Sequence, residues 1–344
     1  MKTRIVTLIA LSALSWHGVA WASASHKKNQ NAPSVCVFDV MGHAGETVGL
    51  LRDFALDAKS RGVNLQIQVY RDEGEAKENF DTGKCQAVVL PDFGIRDYNH
   101  FVSSISAIGA IQTNQLAHTM IRALSAPKAA THMLNQQYEV AGIIPVGAVY
   151  VMTNDRRMKQ LSHAQGKRFV ALKQDPVYAR IINAFGAVPI EVSLADYGRV
   201  FNEGGADIIA APAILFKPLE LHKGIGSTGA IARYPVTYIT LNMVIRHQAF
   251  PEGFGQQSRT WFAGQVPRLM NTIQALEKQI PAQLWMDISV DEQNAYGQLL
   301  FSLRRRFLDE GTYDRRMLQA IQRTQCVIDP KHVTCALSKA TPIR

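Results

Sequence analysis

The residues of this chain that could do chemistry are spread singly rather than gathered into a catalytic pattern. No Gly-x-Ser-x-Gly elbow, His-Glu-x-x-His, phosphate-binding Gly-x-x-x-x-Gly-Lys-Ser/Thr or dinucleotide fingerprint occurs. Gly224-Ile225-Gly226-Ser227 fits none of these spacings and reads as a loop. His43 and Glu46 stand three apart, but the ten histidines are scattered without a ligand-like cluster, so no metal is expected. What remains suits non-covalent capture. Asp39 and Asp92 (in Leu90-Pro91-Asp92-Phe93) fall just after apolar runs. Gly42-His43-Ala44-Gly45 opens a helical segment with free backbone N–H groups, an environment for a carboxylate or another anion. Tyr150, Tyr178, Tyr197, Tyr234 and Tyr238 offer apolar area with a hydrogen-bonding tip. The ligand-binding set read from the sequence is Asp39, Gly42, His43, Asp92, Tyr150, Tyr178, Tyr197, Pro212, Tyr238, Asn242 and Arg246. No catalytic residue and no cofactor is expected. Acids at two strand ends disfavour a dianion and favour a cationic or hydroxylated ligand.

The elements that must position these residues are clearest between Gly166 and Pro212. Phe169-Val170-Ala171-Leu172 is short enough for a buried strand. Asp175 before Pro176 has the form of an N-cap with proline at the first helical position. Val177, Ile181, Ile182 and Phe185 follow at helical spacing, and Gly186 ends the helix. Val188 to Val192 is a second strand. Leu194, Tyr197, Val200 and Phe201 make a second helical stripe, and Asp207 to Ala210 a third strand stopped by Pro212. Strand, helix, strand, helix, strand is two crossover units of a parallel sheet, with ligand positions at the strand ends near Lys173–Pro176, Ser193 and Ala211-Pro212.

Val35 to Val40, the alternating Leu65 to Tyr70, and Cys85 to Pro91 repeat the pattern earlier in the chain. Two long apolar stretches, Val140 to Thr153 and Tyr234 to Ile245, are read as crossings between two α/β lobes that carry separate sheets. Beyond Phe254 the pattern is helical, with Tyr296, Leu299, Leu300, Leu303 and Phe307 as one stripe and Arg304-Arg305-Arg306 as a solvated face.

The length of 344 residues allows two domains, and 47% apolar with 19% charged residues is ordinary for a globular protein. Lys2 and Arg4 precede an apolar run from Ile5 to Leu14 and small-x-small cleavage sites, which reads as a secretory signal peptide over residues 1–24. A polar leader, expected to be flexible, covers 25–33. The net charge of +9, or +7 without Lys2 and Arg4, is spread along the chain and reads as solvated surface, with no nucleic-acid partner. Four cysteines in an exported chain suggest two disulfides, with three pairings open.

Gly166-Lys167, Asp175-Pro176-Val177-Tyr178, Phe185-Gly186-Ala187, Pro189, Tyr197 and Gly204-Gly205-Ala206-Asp207 together resemble the periplasmic solute receptors of TRAP-type dicarboxylate transporters, over residues 140–260. The resemblance implies an α/β, two-lobed, type II periplasmic-binding-protein fold with hinge strands and C-terminal helices. The limits expected are 34–148 with 243–285 for one lobe, 149–242 for the other, and 286–344 for a C-terminal helical segment with a disulfide loop. In that fold the first strand lies between the second and third, which would put Cys36 beside Cys85 and leave Cys326 with Cys335. The family holds a substrate carboxylate with arginines at positions that here are Ala171 and Val149. Arg168 points to the wrong face, which leaves Arg233 or Arg246 to compensate. The expectation is therefore a monomeric periplasmic solute-binding protein, not an enzyme, whose ligand is not a simple C4-dicarboxylate and whose partner is an inner-membrane transporter. The alternatives are an accessory component of drug or aminoglycoside efflux, and a secreted α/β enzyme.

Overall fold

The computed structural model describes residues 32–158 and 161–340. The segment 1–24 read as a signal peptide, and all but the last two residues of the expected leader, lie outside them. Strands β1 (Ser34–Phe38), β2 (Gln66–Tyr70) and β3 (Ala87–Pro91) run parallel in the order β2-β1-β3. Every residue of β1 and β3 is buried, which is why both read as unbroken apolar runs rather than alternations. Helices Glu46–Ser60 and Glu73–Asp81 make the crossovers; Asp72 caps the second by accepting from the Glu75 N–H at 2.9 Å.

Strand β4 (Tyr138–Thr153) leads into a second three-stranded set: β5 (Arg168–Leu172), β6 (Val188–Val192) and β7 (Ile208–Pro212), again parallel, in the order β7-β5-β6. Its crossovers are helices Pro176–Ala184 and Tyr197–Asn202. Asp175 caps the first, accepting from the Val177 N–H at 3.2 Å with Pro176 in the first turn. Strand β8 (Ala230–Arg246) then returns along β4, and the two-residue β9 (Trp285–Met286) adds to it.

The expectation of one sheet per lobe is corrected. A single hydrogen-bonded path runs β2-β1-β3-β8-β4-β7-β5-β6. The cause is the length of the two crossing strands, 16 and 17 residues. β8 pairs with β3 through Leu241–Ile245, β4 pairs with β7 through Val149–Thr153, and β4 and β8 pair with each other from Tyr138↔Arg246 to Thr153↔Ala230. Their register shifts at Val140/Gly142, Pro145/Gly147 and on both sides of Tyr150. Such bulges bend and twist a strand pair, so each lobe keeps its own orientation on a shared ladder.

The helix Phe254–Gln279 lies along β4. Gly142 lets the ring of Phe262 approach where a Cβ would collide, and Arg259, 1% exposed, binds Glu139 at 2.5 Å and the Val140 carbonyl at 2.8 Å. The helix Val290–Asp309 starts in a capping box of Ser289 and Glu292. Its Leu300, Leu303 and Phe307 pack with Ala107 and Ile108 from the first lobe and with Val177 and Ile181 from the second. Arg304 is not on the solvated face. It is 5% exposed, donates to the Ile108 carbonyl at 2.8 Å and lies over the Phe301 ring. Arg306 stays in solvent and pairs with Glu310 at 2.9 Å.

Both disulfides form as the resemblance implied, Cys36–Cys85 and Cys326–Cys335. In the loop-entropy account, closing a separation of 49 residues contributes about 4 kcal/mol and closing one of 9 about 2.5–3 kcal/mol. Replacing Cys36 and Cys85 together by alanine should therefore lower the melting temperature more than replacing Cys326 and Cys335. A larger drop from the C-terminal pair in a thermal melt would contradict this ranking.

Candidate functional site

A cavity of about 450 Å³ lies where the carboxyl ends of the two parallel sets face each other, within the size range of small-ligand sites. The first lobe contributes Phe38 to Met41 from the end of β1 and Pro91, Asp92, Phe93 and Arg96 from the end of β3. The second contributes Leu172, Asp175, Tyr178, Tyr197, Ala210 and Pro212. The crossing strands supply Val146, Val149, Val236, Thr237, Ile239 and Leu241, and Tyr313 reaches in from the C-terminal segment. Among the described residues, no histidine or cysteine is on the wall.

Of the residues singled out from sequence, Asp39, Asp92, Tyr178, Tyr197 and Pro212 are on this wall. Tyr197 donates to the Ala210 carbonyl at 2.8 Å, and its hydroxyl stands 3.5 Å from that of Tyr178. Asp39 reveals why the Gly42–Gly45 turn is not an open anion site. Its carboxylate accepts from the Met41 N–H at 2.9 Å and from the Thr47 N–H at 3.2 Å, so the protein supplies the anion itself. Gly45 is required there because a Cβ would overlap the carboxylate.

The other six lie off the wall, mostly for reasons of strand geometry. Val149 and Leu241 face the cavity, so their neighbours Tyr150 and Asn242 point to the opposite side of the sheet. Tyr150 donates to Glu277 at 3.2 Å, and Asn242, fully buried, donates to Thr240 at 3.1 Å. Tyr238, between Thr237 and Ile239, meets the Met270 sulfur at 3.3 Å. Gly42 is buried in a left-handed turn (φ 60°) beside the Arg71 side chain, and His43 is exposed. Arg246 is at the far end of β8, donating to the Phe80 carbonyl at 2.8 Å and stacked on Phe80 and Tyr138. Arg233 pairs with Asp287 at 2.6 Å over the Trp285 ring, and Tyr234 lies against Tyr296. Neither arginine compensates for Ala171, which is buried, or for Val149. Arg168 pairs with Asp207 at 2.7 Å on the outer side. Among the described residues no cluster of His, Cys, Asp or Glu has the geometry of a metal site.

Sequence reasoning missed Arg96. It stands 3.7 Å from Asp175, so a guanidinium from the end of β3 meets a carboxylate from the end of β5. A position five residues beyond Pro91, at a strand end, was the available signal. Behind this pair lie two buried acids. Asp92, fully buried, accepts from the Phe93 N–H at 2.9 Å and the Thr240 N–H at 2.9 Å, which ties the end of β3 to β8. Burial pushes its carboxyl up to about 7, against the hydrogen bonds from Thr240 and Ser106. Glu73 is 3% exposed, its Oε2 has no hydrogen-bond partner among the described residues, and Gly94 leaves room for its Oε1. Burial first, then the charges of Asp175, Asp72 and Asp92, push it up to about 8. Burial also raises Asp175, with Arg96 opposing.

Two α/β lobes whose strand ends face a ligand-sized cavity, joined by two long hinge strands and braced by C-terminal helices, define a type II two-lobed solute-binding protein. Residues 48–340 match the family described as solute-binding protein AdeT 1/2, and the chain belongs to that family. It is 36% identical over 302 residues to probable solute-binding protein AdeT1 of Acinetobacter baumannii, covering 88% of this chain and 99% of that one. In fold it is similar to a TRAP periplasmic solute binding protein of Desulfovibrio salexigens solved with bound orotic acid. There the TM-score is 0.69, with 10% identity over 86% of this chain and 99% of that one. A TRAP periplasmic solute binding protein of Haemophilus influenzae with bound L-gulonate has the same TM-score, with 11% identity over 85% and 99%. What the chain shares with these two is the fold.

The buried acids make stability depend on pH. Between the ordinary carboxyl values of 3.8 and 4.5 and the raised values of about 7 and about 8, the folded state holds protons that the unfolded chain has lost. Stability should fall as pH rises through this window, by on the order of 1–3 kcal/mol between pH 6 and 9. Glu73→Gln, neutral at every pH, should flatten the decline. Thermal melts across the range check it; a melting temperature that rises from pH 6 to 9, or an unchanged slope in the variant, would contradict the assignment.

Proposed function

We propose that the protein is an exported receptor that closes its two lobes on one small solute and presents it to an inner-membrane transporter. The ligand is net neutral or cationic rather than a C4-dicarboxylate. The observation that carries this reading is the charge on the cavity wall. The two positions where TRAP resemblance places carboxylate-binding arginines are Ala171 and Val149. Asp39, Glu46, Asp92 and Asp175 line the cavity, against Arg96 and Lys217, so acids outnumber cations on the described wall. In this reading residues 34–148 with 243–285 form one lobe and 149–242 the other. The hydrophobic segment after Lys2 and Arg4 directs export, and the mature chain starts near Ser23 or Ser25.

Calorimetry with succinate, malate, sugars, amines and aminoglycosides tests the ligand class. A bidentate arginine contact contributes about 1.5–3 kcal/mol per charged hydrogen bond, so without one at either family position succinate should bind at least roughly tenfold more weakly than the true solute. Native mass spectrometry of gently purified protein should show one co-purified solute of low mass. Submicromolar succinate binding would overturn the ligand class, and tight aminoglycoside binding would move the protein to the efflux reading.

A further inference from the structure

The Arg96–Asp175 contact differs from the other arginine–carboxylate pairs among the described residues. Arg61, Arg157, Arg168, Arg199 and Arg316 reach their carboxylates at 2.5–2.8 Å, whereas Arg96 stops at 3.7 Å. That is outside the 2.7–2.9 Å of a charge-assisted hydrogen bond, and a guanidinium has five N–H donors to place. The pair also spans the cleft: Arg96 comes from the lobe of β3 and Asp175 from the lobe of β5. Both side chains remain partly exposed, 25% and 16%, on the wall of the same cavity.

A solute entering between these groups separates two opposite charges. The same wall also carries Asp39, Glu46, Asp92 and Lys217, of which Asp39 and Asp92 already accept protein N–H groups. Removing one partner from such a pair leaves the other uncompensated, which is costly in a low-dielectric environment. A dianion would satisfy Arg96 and confront Asp175 with a like charge. A simple cation would satisfy Asp175 and face Arg96. An uncharged solute could replace neither charge. A solute with one carboxylate and one ammonium replaces a single long contact by two short ones. The wall also includes Val149, Val177, Ile181, Ile239 and Leu241, which suit an apolar body.

Resting on the receptor reading above, we propose that the solute is a zwitterion of the amino-acid type with an apolar side chain. Arg96 takes its carboxylate and Asp175 its ammonium. The two residues belong to different lobes, so only a solute carrying both charges draws the lobes together at this point. Asp175 keeps its helix-capping bond from the Val177 N–H throughout, and asparagine could make the same bond.

Calorimetry on the full mature chain tests this with a panel of apolar L-amino acids. For the tightest of them, leucine for example, the comparison adds its amide, which lacks the carboxylate, and its deaminated acid, which lacks the amine. The intact amino acid should bind at least tenfold tighter than either. Arg96→Gln should weaken the amino acid and the deaminated acid but not the amide; Asp175→Asn should weaken the amino acid and the amide but not the acid. The ligand series on the unaltered protein decides the matter even if a variant fails to fold. Equal binding of the amide or the deaminated acid would overturn the proposal. So would no binding of any amino acid in the panel while native mass spectrometry finds a different solute bound, an outcome that leaves the receptor reading standing. A protein that holds no solute and binds none of any class would instead remove the receptor reading.

Discussion

The antiparallel pairing of β4 with β8 is the constraint on which the rest of the molecule depends. These strands are long enough to belong to both lobes, and each carries one of the parallel sets on its outer edge: β3 against β8, β7 against β4. Backbone hydrogen bonding continues across the molecule, so no polar strand edge is left open where the lobes meet. The register shifts beside Gly142, Gly147 and Tyr150 concentrate bending in the same short stretch. Gly147 is in a backbone conformation with φ 134° that side chains rarely adopt, and Ile273 of the long helix closes over it. A continuous ladder that bends at bulges is compatible with hinge closure, because a few residues absorb the change while the paired segments on either side stay rigid.

Everything chemically distinctive about the site follows from where that ladder brings the strand ends. Parallel strands of both sets point their carboxyl ends at one cavity, and their terminal acids arrive with them. Asp39 and Asp175 are satisfied locally by helix-start N–H groups, whereas Asp92 is satisfied by Thr240 on the hinge strand. A buried carboxylate thus binds the first lobe to the hinge, and Glu73 stands close enough to feel its charge. Arg96 is the guanidinium on the cavity wall, and it faces the second lobe.

Much of the second lobe was legible because its signals are local. Asp175-Pro176, Gly186, the paired glycines Gly204-Gly205 and Pro212 punctuate apolar runs of unambiguous length, and each marks an element boundary within a residue or two. Long-range pairing left no comparable trace. Nothing in the local pattern of Val140 to Thr153 says that it will pair with a segment about ninety residues later and merge two sheets. Side-chain direction was the second obscured quantity. Tyr150, Tyr238 and Asn242 each neighbour a residue that faces the cavity, and a period of two turns a one-residue uncertainty into the wrong face. Arg304 was hidden by composition: three successive arginines look solvated, yet position 304 lies four residues after Leu300 on the stripe that packs between the lobes. Tyr313 enters the cavity only because the C-terminal helices fold back across it, which no local pattern announces.

The central claim is that the lobes move on the β4–β8 hinge when solute binds. Leu56, on the outer helix of the first lobe, and Val188, on the edge strand of the second, are exposed by 69% and 48%. Because all four native cysteines are disulfide-bonded, spin labels can be attached at cysteines introduced in place of these two residues. Pulsed electron–electron resonance then reads the distance between the lobes with and without the solute that native mass spectrometry identifies. A shift to a shorter, narrower distance distribution on adding solute is the predicted result. An identical distribution in both states, with binding verified in the same samples, would contradict the account.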